Sequence, residues 1–180
     1  IEQLGEKSFK VKKGKKFYFV KRFGEDSEAF FDFKKVCSDI YNLGVPCPEI
    51  YVADKKTYDI ALTYIDGVNA FEYLTNNHIT DKQLENLYRA NWMAKMNKGA
   101  IEFDPDKWMF VGDKIYYIGY KLNKYSEKDK DKLIHEDIKK WYFTREFAEY
   151  AREKGVEIDK SLIKTEFETN REIIRRFFNP

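Results

Sequence analysis

Glu102, Asp104 and Asp106 stand at alternate positions in the stretch GAIEFDPDKWMFVGDKIYYIGYKL, Gly99–Leu122. They directly precede an apolar, aromatic run, Trp108–Val111. Carboxylates so placed could orient a hydroxyl, accept a proton or help hold a hard cation. A cation stands far upstream, where Lys21 sits among apolar neighbours in FYFVKRF. It is either an edge-strand residue snorkelling outward or an ammonium aimed into a cleft. Glu28 and Asp32 lie four residues apart on an expected helix, and so project from one face of it.

These groups need elements to hold them. Gly112-Asp113-Lys114 has hairpin chemistry, which predicts strands at Trp108–Val111 and Ile115–Ile118. Leu4–Val11 and Phe17–Phe23 read as antiparallel strands joined at Gly14. Glu25-Asp26-Ser27 starts a helix through Phe30, Phe33, Cys37 and Ile40, ended by Gly44 with Pro46 and Pro48 beyond. Ile50–Ala53 and Tyr58–Thr63 form a second hairpin that runs into Tyr64-Ile65-Asp66-Gly67. The order predicts a small α+β lobe, residues 1–67, closing on an extended linker.

From 68 to 180 the pattern turns mostly helical. A capping box, Thr80 with Gln83, opens a helix through Leu84, Leu87, Tyr88, Trp92 and Met96, stopped by Gly99. Ser126–Lys132 reads as a solvated charge run. Ile138, Trp141, Phe147, Tyr150 and Ala151 predict one amphipathic helix closed by Gly155. Asp159 or Ser161 caps a last one from Leu162 to Phe177.

The totals set bounds. With 180 residues, 43% hydrophobic and 17% aromatic, the chain can bury one substantial core or two small lobes sharing a cleft. Its net charge of +2 supplies no global field for nucleic acid or anionic membrane. No apolar run is long enough for a bilayer span and no signal-peptide core is evident, so a cytoplasmic location is expected. Cys37 and Cys47, with only two histidines, point to reduced buried thiols rather than zinc. Abundant Lys, Glu, Ile and Tyr give a thermophile-like composition.

In this order the motifs resemble the protein-kinase-like superfamily, in its compact atypical RIO or lipopolysaccharide-kinase form, over roughly residues 1–125. LGEKSFKV (Leu4–Val11) is similar to the glycine-rich loop. Phe19-Val20-Lys21 is similar to the third-strand lysine motif, with Glu28 or Asp32 where a helix carboxylate would pair with it. Ala61–Gly67 resembles the interlobe hinge, Gly99–Val111 the catalytic loop, and Tyr117–Lys121 the metal-binding segment. The implied fold is α+β and two-lobed, with a small antiparallel-sheet N-lobe bearing one helix and a truncated, mostly helical C-lobe. The implied cofactors are ATP and Mg²⁺. Nucleotide contacts then fall to Gly5, Lys21, Glu28, Asp32 and Tyr64, and the base role to Asp104.

The departures from the pattern bear on chemistry. Of the loop glycines only Gly5 remains, with Lys7 and Lys10 at the other two positions. Glu102 replaces the usual His, Met109 the metal-binding Asn, and Gly119 the metal-binding Asp. A thioether and a hydrogen offer Mg²⁺ no hard oxygen, leaving Asp106 or Glu102 as substitutes. The resemblance therefore implies a degenerate member, a pseudokinase acting in binding or regulation with another protein as partner. One alternative is an active atypical ATP-dependent phosphotransferase on a protein or small molecule. A second is nucleic-acid binding through Lys12, Lys13, Lys15, Lys16 and Arg171, Arg175, Arg176, which the near-neutral charge disfavours.

Overall fold

The computed structural model describes residues 1–129 and 132–163. Three N-terminal strands, β1 (Glu2–Gly5), β2 (Ser8–Lys13) and β3 (Lys16–Arg22), open the chain, the third carrying the aromatic and β-branched run Phe17–Val20. Helix α1 (Ser27–Asn42) follows, started by the Asp26 carboxylate, which accepts from the Ala29 amide at 2.9 Å. Strands β4 (Ile50–Asp54) and β5 (Asp59–Thr63) return to the sheet, whose order is β1-β2-β3-β5-β4 with every neighbour antiparallel. β3 is thus the central strand. Phe30 and Cys37 of α1 bury against Phe23, Ile60 and Leu62, which fixes the helix across one face of the sheet.

The chain then crosses to a second body. β6 (Val68–Asn69) leads into α2 (Ala70–Leu74) and the long α3 (Asp81–Met96). Next come β7 (Gly99–Ala100), β8 (Trp108–Val111), β9 (Lys114–Tyr117), β10 (Asn123–Lys124), α4 (Lys132–His135) and α5 (Arg145–Glu153). Gly112, at φ +58°, makes the tight turn between β8 and β9. Trp108, Trp141, Tyr117, Phe110 and Phe147 are almost fully buried and form the aromatic centre of this half. Ile40, Leu43 and Val45, at and beyond the end of α1, belong to that same cluster. No helix of the described residues is long and apolar enough to cross a membrane.

Thr80 caps α3 as its sequence indicates: its hydroxyl accepts from Gln83 N at 3.1 Å and the Gln83 side chain accepts from Thr80 N at 3.0 Å. The buried Gln83 amide also donates to the Gly112 carbonyl at 3.1 Å, tying the helix start to the hairpin turn. Thr80→Ala should therefore cost about 1 kcal/mol, read as a lower urea midpoint with an unchanged slope.

Several expectations are corrected. The single helix expected over Ile138–Ala151 is broken into a 3-10 turn, Asp137–Trp141, and α5. Thr144 restarts the helix by accepting from Phe147 N at 3.0 Å, and the extended Tyr142 and its buried neighbour Phe143 fill the core between the pieces. The second hairpin strand ends at Tyr117, not Ile118. Two-residue strands escaped the sequence: β6 pairs with β8, and β7 pairs with β10. Asp159 rather than Ser161 makes the next cap, accepting from Ser161 N at 2.8 Å. Most of the helix expected from Leu162 to Phe177 lies outside the described residues.

Candidate functional site

Lys21 lies on the central strand, between Ser8 of β2 and Ile60 of β5, which removes the edge-strand reading. Its ammonium sits 4.4 Å from the centre of the Phe33 ring and 5.4 Å from that of Phe23, beneath α1. Glu28 and Asp32 are both exposed on α1, and among the described residues neither is in an ion pair with Lys21. Gly5 ends β1 next to an irregularity in the pairing. A Cβ there would meet only Ser8 Cβ at 3.9 Å, so the protein's own packing does not require a glycine. The ammonium of Lys10 lies 4.3 Å from the Tyr64 ring centre, drawn to the linker by an aromatic face.

Between the sheet and the hairpin lies an apolar cavity of about 250 Å³, lined by Phe19, Thr63, Tyr64, Ile65, Met109 and Tyr120 among others. Tyr120 takes φ +49°. Its ring stacks on Phe19 at 6.5 Å and packs on Phe33 at 5.0 Å, and burial pushes its hydroxyl pKa up. The slot is lined mainly by apolar and aromatic side chains, with Tyr64 and Ile65 of the linker among them.

The acidic loop directly precedes β8, which supplies Met109 to the slot. Four buried or half-buried aromatic residues pin this loop: Trp108 Nε1 donates to Glu102 O at 3.0 Å and Trp141 Nε1 to Phe103 O at 2.8 Å. The Tyr117 hydroxyl accepts from Glu102 N at 3.3 Å and donates to Lys121 O at 2.9 Å. The Tyr150 hydroxyl donates to the Asp106 carboxylate at 2.6 Å. Each carboxylate of the loop is then met by lysine. Glu102 pairs with Lys121 at 2.8 Å, Asp104 with Lys140 at 2.5 Å, and Asp106 with Lys154 at 2.6 Å and Lys107 at 2.9 Å. Asp104 does not cap the turn that follows it; its carboxylate goes to Lys140 and only its carbonyl accepts, from Lys107 N.

Burial pushes the Asp106 carboxyl up, but hydrogen bonds from Lys154, Tyr150 and Lys107 outweigh this and hold it at about 2. Asp137, near Lys140 and Lys132, is displaced upward by burial. Gly119 has no room for a side chain. A Cβ there would stand 2.5–2.6 Å from the hydroxyl and ring of Tyr117, which is itself fully buried.

The sequence-named residues thus divide. Tyr64 and Met109 line the slot, and Gly119 lies between its lining residues Ile118 and Tyr120. Glu102, Asp104 and Asp106 sit on the loop with their lysines, Lys21 lies against Phe33 and Phe23, and Glu28 and Asp32 stay exposed on α1. The order of elements is the one that the sequence resemblance implies: a five-stranded antiparallel sheet, one helix after its third strand, a linker, a long helix, and then a loop and hairpin. The fold is protein-kinase-like. No family model matches the chain. Among curated proteins, the EKC/KEOPS complex subunit BUD32 of Enterocytozoon bieneusi (strain H348) is 30% identical over 105 residues, 51% of this chain. The chain spans about half, 51%, of that relative's length. Among solved structures, choline kinase LicA from Streptococcus pneumoniae aligns at 11% identity and TM-score 0.42, covering 100% of this chain and 92% of that one. LicA in complex with AMP aligns at 12% identity and TM-score 0.40, covering 97% and 90%.

A kinase-like fold implies ATP with Mg²⁺, and the two parts fit differently. The apolar slot suits a planar base. The donors a magnesium ion would need are missing or engaged: a thioether at Met109, no side chain at Gly119, and carboxylates already bound by ammonium groups. Among the described residues no group of three metal-ligating side chains comes together. The residues present do not fit the ion. Lys140, Tyr117, Tyr150 and Lys154 carry this outcome, and the sequence marks none of them as a partner of the loop. Their partners lie 15–48 positions away in the chain, beyond any local pattern.

Proposed function

We propose that this kinase-like protein uses its cleft to bind, without efficient phosphoryl transfer, and acts in binding or regulation with another protein as partner. The observation that carries this reading is the Tyr117 ring standing where a metal-binding side chain at position 119 would have to project. Phosphoryl transfer in such clefts rests on positioned phosphates and metal ions. Here ammonium groups occupy the carboxylates instead. In this reading the base of a nucleotide lies in the slot beside Tyr64, Gly5 and Lys21 border it from the sheet, and residues 1–67 act as one lobe against the remainder. Support for a protein partner comes from the curated relative, which is by name a subunit of a complex.

The test is a thermal-shift titration with AMP and ATP, in EDTA and in excess MgCl₂, alongside a phosphate-release assay. Stabilisation by nucleotide that is equal with and without Mg²⁺, and release no faster than buffer, is the expected result. A shift that needs Mg²⁺, or turnover abolished by Asp104→Asn, would establish the active alternative in its place.

A further inference from the structure

A second concavity, of about 330 Å³, shares no lining residue with the cleft. Its floor is Pro46, Ala90, Met93 and Ile115, and its cations are Arg89 of α3 and Lys114 of β9. Both cations are exposed, and among the described residues neither enters an ion pair. The nearest acids in the sequence are committed elsewhere: Glu85 pairs with Lys82 at 2.9 Å, and the Asp113 carboxylate accepts from the Thr80 hydroxyl at 3.3 Å. The Asn86 side chain donates to Asp113 O at 2.8 Å and so holds the hairpin turn against α3. The Met93 methyl lies against Gly44, where a Cβ would come within 2.5 Å of it. The groove is therefore shaped from both halves of the molecule, by the exit from α1 on one side and by α3 and the hairpin on the other. Pro46 O accepts from Tyr117 N at 2.7 Å across the same seam.

We propose that this groove is a binding site for an amphipathic organic anion, a small molecule with a flat or alkyl body and a carboxylate, sulfonate or phosphate head. The volume falls in the range of small-molecule sites, with an apolar floor and a few convergent polar groups. Two unneutralised cations at one concavity select the sign of the ligand, and the guanidinium of Arg89 can hold a planar or tetrahedral head through two N–H groups. A bound anion would touch both halves at once and fasten α1's exit loop to the hairpin.

The chain has three methionines, and they report on the question separately: Met93 lines the groove, Met96 lies one turn further along α3, and Met109 lines the cleft. Protein carrying ¹³C-methyl methionine is titrated with 8-anilinonaphthalene-1-sulfonate, an aromatic anion, and followed by methyl NMR. The expected result is a saturable shift of the Met93 methyl while Met109 stays in place. Arg89→Glu with Lys114→Glu should weaken binding at least about tenfold while the methyl spectrum stays dispersed. The neutral pair Arg89→Gln with Lys114→Gln, which keeps chain length at both exposed positions, serves if charge reversal perturbs folding. The inference is overturned if Met93 does not move up to millimolar probe, if only Met109 moves, or if folded charge variants bind as tightly. AMP followed with the same label reads the cleft through Met109, so either reading can fail alone.

Discussion

Gly119→Asp, the substitution that would restore a metal-binding carboxylate, is expected to lower the thermal midpoint by about 3–10 °C and to leave Mg²⁺ affinity undetectable. The reason is geometric. Any Cβ at position 119 lands 2.5–2.6 Å from the Tyr117 ring and hydroxyl. That ring cannot simply swing aside. It is fully buried against Trp108 at 5.1 Å, and its hydroxyl bridges the Glu102 amide and the Lys121 carbonyl. Overpacking of this kind costs about 1–3 kcal/mol. Adding Met109→Asn to Gly119→Asp should likewise yield no phosphate release above buffer, because the loop carboxylates keep their lysines. A double-mutant cycle locates the cause: in a Tyr117→Ala background Gly119→Asp should cost less than in the parent. Equal cost in both backgrounds, or a gain of Mg²⁺-dependent stabilisation in Gly119→Asp alone, would remove Tyr117 from the account.

Asp106→Asn is the second large effect, with an expected loss of about 1–2 kcal/mol at pH 7. The substitution takes a carboxylate away from Lys154, Lys107 and the Tyr150 hydroxyl, leaving two half-buried ammonium groups facing each other. The same carboxylate predicts an acid limb of known sign. Its folded value is about 2, below the ordinary 3.8, so the native state favours the ionised form. The stability this confers is present in full above about pH 4 and is lost as pH falls from about 4 toward 2. Its ceiling is about 2 kcal/mol, lessened by the side chain's partial contact with solvent. Urea midpoints measured from pH 7 down to pH 2 should therefore fall more steeply for the parent than for Asp106→Asn over that acid range. Parallel curves would show that Asp106 is not held ionised by its partners.

Much of the frame was readable because it is local. The Asp26 start of α1, the Thr80–Gln83 capping box and the Gly112 turn are each written within four residues and appear where expected. One strand's sequence does not say how many neighbours it has, so for Lys21 both an edge and a cleft position satisfy it. Only the return of β5 beside β3 places it centrally. The broken helix after Ile138 hides in the sequence for a different reason: Tyr142 and Phe143 satisfy helical spacing, yet both are buried in the core with the backbone at Tyr142 extended. For the site, the sequence shows which ligands are replaced, at Met109 and Gly119. It does not show that Lys140 and Lys154 neutralise Asp104 and Asp106, since those pairings are made by tertiary packing.

Helix α1 is rooted at Phe30 and Cys37 in the sheet's core, and at Ile40 and Leu43 in the aromatic core of the second half. Mechanically it is a strut built into two walls. Closing motions in a two-part cleft usually rely on a few compliant joints, and a shared rigid member leaves little compliance beyond Tyr64–Gly67. Denaturation should then proceed as a single cooperative event detected alike by tryptophan fluorescence and by far-UV ellipticity. A cleft braced in this way presents one fixed surface to whatever docks on it.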